Sequence, residues 1–270
     1  MSDVEVRIAA LWVYPVKSCA GTPQDEWLLV ETGLEFDRAW MVVDVQGRFV
    51  TQRQLPRMAL IRPTLRAYDL VLQAPGMLAL HVQLGAVEQP SRVTVWRDVV
   101  ASFDMGDIAA QWFSDFLGHP VRLVRFDPQQ QRLSNRRWTG ELEAPNAFSD
   151  GFPLLVTSTA GLDELNRRLV ASGESAVTME RFRPNLVLGG LEANGEDHVD
   201  EIFFDAAEGP VRLKLVKPCS RCVIPDIDLL TALPGHAVAD ALAAYRADPR
   251  LDGAITFGMN AVIVEGAERS

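Results

Sequence analysis

The chain has 270 residues, 48% of them hydrophobic and 23% charged, a formal net charge of -10 at pH 7, and three cysteines. This composition excludes a disordered or fibrous chain, and the acidity argues against nucleic acid as a general partner, because phosphate backbones are bound by clustered Lys and Arg. No apolar stretch approaches the roughly 20 residues of a membrane span, and Cys19, Cys219 and Cys222 are too few for a disulfide framework, a four-cysteine zinc site or an iron-sulfur cluster held by four thiolates.

The start, Met1-Ser2-Asp3-Val4-Glu5, is acidic and lacks the basic residues and apolar core of a secretion signal, so the cytoplasm is the expected compartment. From Arg7 to about Val100 the apolar residues mostly recur in short runs between turn-formers: Ile8 to Tyr14, Trp27 to Val30, Trp40 to Val45, Phe49 to Thr51, Ala59 to Ile61, Leu70 to Leu72, Leu80 to Leu84 and Val93 to Trp96. Such spacing predicts strands of a barrel or sandwich, with Gln46-Gly47 turning a hairpin. From Asp107 the period changes, and Ile108, Ala109, Trp112, Phe113, Phe116 and Leu117 fall on one helical face ended by Gly118 and Pro120. Val121 to Phe126 reads as a strand, and 127–147 as a long connection. Beyond it we expect strands at Phe152 to Thr157, Asn185 to Leu188, Phe203 to Phe204, Val211 to Val216 and Ala261 to Val264. A helix capped by Ser158 or Thr159 runs to about Leu169, and a short amphipathic helix covers Val238 to Tyr245.

Chemistry concentrates in a few clusters. In Lys217-Pro218-Cys219-Ser220-Arg221-Cys222 two thiols spaced by two residues can bind a soft metal, form a reactive disulfide, or do neither. A thioredoxin-type motif should open a helix, and Val223-Ile224-Pro225-Asp226 is a poor helix start. Positive charge at Lys217 and Arg221 favours the thiolate, the form that ligates metal. Lys17-Ser18 follows a strand and can grip an anion. Arg38, Arg53 and Arg183 add guanidinium forks suited to phosphate, and Asn185 adds an amide that donates and accepts. Taken singly, each could equally be a solvated turn or a surface ion pair.

In order, Tyr14-Pro15-Val16-Lys17-Ser18-Cys19, Asp37-Arg38, Thr51-Gln52-Arg53-Gln54, Arg181-Phe182-Arg183-Pro184-Asn185, Cys219-Ser220-Arg221-Cys222 and Phe257-Gly258-Met259-Asn260 resemble the MOSC proteins that carry an N-terminal β-barrel, a group holding bacterial YcbX-like proteins and the mitochondrial amidoxime reducing component. The resemblance implies a β-rich α+β fold: an N-terminal β-barrel domain over 1–120 and a MOSC β-barrel domain with flanking helices over 121–270, with the site at their junction. Relatives run on past the position of Ser270 into a further strand. It implies a molybdenum cofactor, molybdopterin with molybdenum, ligated by Cys222, with Cys219 only a neighbour. Lys17, Ser18, Arg38, Arg53, Arg183 and Asn185 would contact the pterin and its phosphate, with Ser158, Ser220 and Arg221 beside the metal. Pyridoxal phosphate binding is also attached to the family as a whole. The activity implied is reduction of small N-oxygenated substrates with electrons from a separate donor protein or reductase; the alternatives are a sulfur or cofactor carrier without turnover, and a partner-binding module that has lost the cofactor. After Cys222 the sequence is nearer the bacterial pattern, which bears on substrate range. His81, His119, His198 and His236 fall outside these motifs and receive no catalytic role.

Overall fold

The computed structural model describes residues 4–267. In chain order it runs β1 (Arg7–Val13), β2 (Thr22–Gln24), β3 (Leu29–Val30), β4 (Gly33–Leu34), β5 (Trp40–Asp44), β6 (Arg62–Leu65), β7 (Asp69–Gln73), β8 (Leu80–Gln83), β9 (Gln89–Val95), β10 (Asp98–Asp104), α1 (Gly106–Leu117) and β11 (Val121–Phe126). There follow α2 (Arg136–Thr139), β12 (Leu154–Ser158), α3 (Thr159–Ala171), β13 (Leu186–Gly189), β14 (Glu201–Ala206), β15 (Gly209–Ser220), α4 (Ala237–Ala243), β16 (Ala247–Asp248) and β17 (Ala254–Glu265). The chain is thus a β-rich α+β protein, as its patterning implies. The helix α1 ends where Gly118 adopts φ 71 and donates its N–H to Ser114 C=O. Its apolar face is narrower than expected, because Ile108 is 80% exposed.

Two of the predicted strands take other forms. Ala59 to Ile61 lies at the end of a 3₁₀ turn, Pro56–Leu60, because Pro56 presets a turn-like φ and lacks the N–H a ladder would need. Phe49 to Thr51 contributes only a bridge from Phe49 to Val43, which still closes the expected hairpin with Gly47 at φ 75. The Trp27 to Val30 run shortens to β3, and five strands outside the expected runs, β2, β4, β6, β10 and β16, complete the pairings.

The largest sheet has the order β14-β15-β17-β12-β13-β1-β2, and a four-stranded sheet has the order β5-β11-β10-β9. A three-stranded sheet, β6-β7-β8, is joined to the latter by a core in which Phe113, Phe116, Trp40, Leu70 and Leu72 are buried. The strand orders are linear, and none closes on itself among the described residues. Residue 120 is not where the sheets divide: β11 lies past it yet sits between β5 and β10, and β1 lies before it yet pairs with β13. The pairing of β12 with β13 is parallel and needs a crossover, which α3 supplies. Helices α3 and α4 cover one face of the large sheet through Leu165, Leu169, Phe182, Leu242 and Phe257, whose aromatic pair stacks with centroids 4.0 Å apart.

Gly258 fixes the approach of two neighbouring strands. It has φ +79, and a Cβ there would lie 2.6 Å from Val156 C=O on β12. Gly258→Ala should therefore cost about 3 kcal/mol through backbone strain and collision, read as a lowered denaturation midpoint; an unchanged midpoint would contradict this packing.

Candidate functional site

The chain leaves β1 at Val13 and crosses to the four-stranded sheet. Lys17 N–H donates to Trp40 C=O at 2.8 Å, Trp40 N–H to Pro15 C=O at 3.0 Å, and Arg38 N–H to Tyr14 C=O at 2.8 Å. Tyr14 N–H in turn donates to Asp37 Oδ1 at 2.8 Å. These bonds stitch the two sheets together and bring Lys17, Ser18 and Arg38 to their junction. Ser18 (φ 67), Arg38 (φ 49) and Arg183 (φ 59) all have left-handed backbone, an uncommon and costly conformation for such residues that concentrates at functional sites.

Arg38 and Arg183 share Tyr14: each guanidinium carbon lies 4.4 Å from the centroid of its ring. The ring is close because Gly21 has no side chain; a Cβ there would fall 2.3 Å from Tyr14 Cε1. Arg38 pairs with Asp37 and donates to Asn185 Oδ1 at 3.2 Å and to Arg183 C=O at 2.9 Å. Arg183 donates through Nη1 to Cys19 C=O, while its Nη2 is buried with no partner. Burial first, and the charge of Arg38 second, pull Arg183 down to about 10, so it stays a cation at neutral pH. Asn185 is committed to the protein: its Oδ1 also accepts from Leu155 N–H at 3.1 Å, and its amide donates to Trp12 C=O at 3.2 Å. It orients Arg38 and ties β1 to β12 across β13, and it lines the same cleft as Arg38 and Arg183.

These residues line a cleft of about 1150 Å³, a little above the roughly 300–1,000 Å³ of small-molecule pockets. Lys17, Arg38, Arg53 and Arg183 contribute charge to it; so do Arg97, Arg132, Lys217 and Arg221. Against these eight cations stand two carboxylates, Asp98 and Asp150, in a chain of net charge -10. Ser18, Ser220, Cys219 and Cys222 also line it, with Cys222 exposed and Cys219 half-buried. Arg221 Nη1 lies 3.1 Å from Cys219 Sγ and its Nη2 donates to Phe182 C=O at 2.8 Å, leaving Nε buried without a partner. The expected support of Arg221 for a thiolate thus falls on Cys219.

Lys17 Nζ is less free than an anion grip requires, since it donates to Phe148 C=O at 2.8 Å and to Asp150 Oδ1 at 2.6 Å. Burial pushes this ammonium below its ordinary range, and Asp150 opposes the shift. Crowding by the cleft walls would raise the Asp150 carboxyl, whose side chain is 74% exposed, but Lys17, the Trp96 indole N–H and Arg53 reverse this and hold it ionised, well below the usual carboxylate range. Arg132, also committed, donates to Asp98 Oδ2 at 2.9 Å and to the carbonyls of Ala147 and Ser149.

Ser158 is the one predicted site residue outside the cleft lining. It is fully buried, and its Oγ accepts from Gly161 N–H at 3.1 Å as the N-cap of α3; helix capping, the other role read for it, accounts for the hydroxyl. Conversely, Trp96, Arg97, Arg132, Trp138, Asp150 and Lys217 line the cleft without having been singled out as contacts. Of these, Trp96-Arg97 carried a signal, a tight turn between two apolar runs. Among the described residues no group of three or more His, Cys, Asp and Glu is placed to hold a metal ion, and no helix is long and apolar enough to cross a membrane.

Comparison with known proteins places these features among relatives. A family model described as the MOSC N-terminal beta barrel domain matches residues 5–120, and one described as the MOSC domain matches 143–268. Mitochondrial amidoxime-reducing component 1 of Homo sapiens is 36% identical over 250 residues, covering 88% of this chain and 72% of the relative. Mitochondrial amidoxime reducing component 2 of Rattus norvegicus is 35% identical, covering 82% and 66%. Molybdenum cofactor sulfurase of Homo sapiens is 30% identical over 93% of this chain, which spans 29% of that protein's length.

The three free cysteines differ in reach. Cys19 is fully buried, and burial pushes its thiol up to about 12, whereas Cys219 and Cys222 open on the cleft. Iodoacetamide at pH 8 should label Cys219 and Cys222 in the native protein and Cys19 only after unfolding, as read by peptide mass spectrometry; native labelling of Cys19 would contradict the site.

Proposed function

This chain belongs to the MOSC proteins that carry an N-terminal MOSC domain, and from that premise we propose that its cleft holds a molybdenum cofactor and reduces N-hydroxylated compounds with electrons from a separate donor. The observation that carries the reading is the cleft's imbalance of charge, eight cations to two carboxylates, around an exposed Cys222. The fit is a matter of donors. Buried Arg183 Nη2 and Arg221 Nε lack partners, and such groups are stabilised by an acceptor that the protein itself does not offer. A phosphate-bearing pterin is such an acceptor, and a metal it already chelates needs few protein ligands, for which the Cys222 thiolate is chemically suited.

When bound, the cofactor supplies the two-electron redox centre. The chain's own residues do the rest. Arg183 binds the anion, while Asp37 and Asn185 hold Arg38 in place beside it. Phe49, Trp96, Trp138 and Phe152 give the cleft apolar surface that limits water. Over a turnover the substrate's N–O bond breaks with uptake of two electrons and two protons: one proton is added to the nitrogen and the other to the departing hydroxyl, which leaves as water. Three cysteines cannot hold a four-thiolate cluster, so the electrons come from a donor outside these residues. The compartment we propose is the cytoplasm, where thiols stay reduced, in keeping with the free cysteines.

A carrier function is favoured by a different observation, the Arg221 guanidinium at 3.1 Å from Cys219 Sγ, which would stabilise a sulfur anion on Cys219. Protein purified with cofactor supply decides between them. The reductase reading expects about one molybdenum per chain and turnover of an amidoxime with a chemical reductant but not with NADH alone. It also expects loss of turnover in Cys222→Ser, since oxygen is a harder ligand than sulfur, and little loss in Cys219→Ser. Arg183→Ala should lower retained pterin about tenfold or more, the scale of a charge-assisted hydrogen bond. Loaded protein that reduces no N-hydroxylated compound and releases thiocyanate with cyanide would establish the carrier instead.

A further inference from the structure

The rim of the cleft is built from other elements than the arginine pair on its inner wall. Trp96 and Arg97 form the two-residue tip of the β9–β10 hairpin, closed by the Val95 and Asp98 pair. Trp96 has φ 56, a conformation that bulky side chains rarely adopt and that persists where a site requires it. The residue is 47% exposed, yet its ring is held three times, once by Phe49 with ring centroids 5.0 Å apart. Its indole N–H donates to Asp150 Oδ1 at 3.1 Å, and the Arg53 guanidinium lies 4.8 Å from the ring centroid. Lys217 is also in aromatic surroundings, 5.8 Å from the rings of both Trp138 and Phe152.

Of the two carboxylates of the lining, Asp98 pairs with Arg132, while Asp150 pairs with Lys17, accepts from the Trp96 indole and feels the charge of Arg53 without forming an ion pair with it. Arg53 donates through Nε to Thr51 Oγ1 at 3.1 Å, and neither it nor Arg97 has an ion-pair partner among the described residues. A flat aromatic surface is therefore fixed beside two guanidinium groups that have no ion-pair partner among the described residues and are partly or fully exposed, whereas the unpartnered Arg183 and Arg221 donors are buried. Guanidinium forks match carboxylate and phosphate geometry, and indole rings stack on planar groups.

We propose that this rim is a substrate subsite, and that the substrates it favours are flat N-hydroxylated compounds carrying an anionic substituent. The ring lies against Trp96, and the anion is met by Arg53 and Arg97. The inference rests on the reductase reading for the chemistry that follows, but binding at the rim can be measured without turnover. The local field also assists capture, because cationic clefts raise the encounter rate of anions in a salt-dependent way.

The test compares benzamidoxime, its 4-carboxylate and its 4-trimethylammonium derivative on cofactor-loaded protein. Equilibrium binding is measured by tryptophan fluorescence without reductant, and KM with reductant. The carboxylate should bind roughly tenfold more tightly than the neutral parent, the scale of one charge-assisted hydrogen bond, and the cation more weakly. The advantage should shrink as salt shortens the Debye length. Arg53→Gln and Arg97→Gln should each reduce it at unchanged pterin content, while Arg92→Gln, on the same hairpin outside the lining, retains it. Equal binding of the three compounds, or a preference surviving both rim variants, overturns the proposal. Loss of pterin from both rim variants does so too, by giving the rim to the cofactor. Tighter carboxylate binding with no reduction of any compound would sustain the subsite and sink the reductase reading.

Discussion

Two guanidinium groups held 4.4 Å from one tyrosine ring set the terms for the rest of the molecule. Like charges brought together out of water repel one another and lose hydration, so the arrangement survives only if the fold supplies compensation. It does so with the Asp37 carboxylate, with the carbonyls of Cys19 and Arg183, and with the face of Tyr14. The compensation is incomplete at Arg183 Nη2. That deficit makes the inner wall receptive to an anion from outside.

The fold serves this arrangement by joining two sheets at the site. Asn185 stands just before β13 and ties β1, β12 and Arg38 together through one amide group, while the Tyr14-to-Lys17 segment bonds to the backbone around β5. Each cation therefore sits on backbone fixed from both sides, which limits the reorganisation needed when a ligand binds. An acidic exterior around a cationic cleft also gives charge selectivity: anions are drawn to one place on a molecule that otherwise repels them.

Sequence patterning resolved what local physics decides. Helix α1 was legible from its apolar spacing and Gly118, and most strands from their β-branched runs. The Pro56–Leu60 turn was misread because three apolar residues cannot by themselves distinguish a strand from a helical turn. Nothing local could show that β1 pairs with β13 or that β11 enters the four-stranded sheet, since these pairings join residues far apart in the chain. The ordered motifs identified most of the cleft, Lys17, Ser18, Arg38, Arg53, Arg183, Ser220, Arg221 and Cys222 among them. They could not show which of these also hold the protein together: Asn185 and Lys17 line the cleft and bond to protein partners as well, and the Ser158 hydroxyl caps a helix. Asp150 was invisible because its partners, Lys17 and Trp96, come from distant segments.

The most direct test of the account is X-ray absorption at the molybdenum edge of the loaded protein and its cysteine variants. If Cys222 is the protein's ligand, Cys222→Ser will lose one sulfur neighbour of the metal, or the metal itself, and Cys219→Ser will keep the parent spectrum. A sulfur neighbour lost in Cys219→Ser, or an unaltered spectrum in Cys222→Ser, would contradict the assignment on which the proposed chemistry depends.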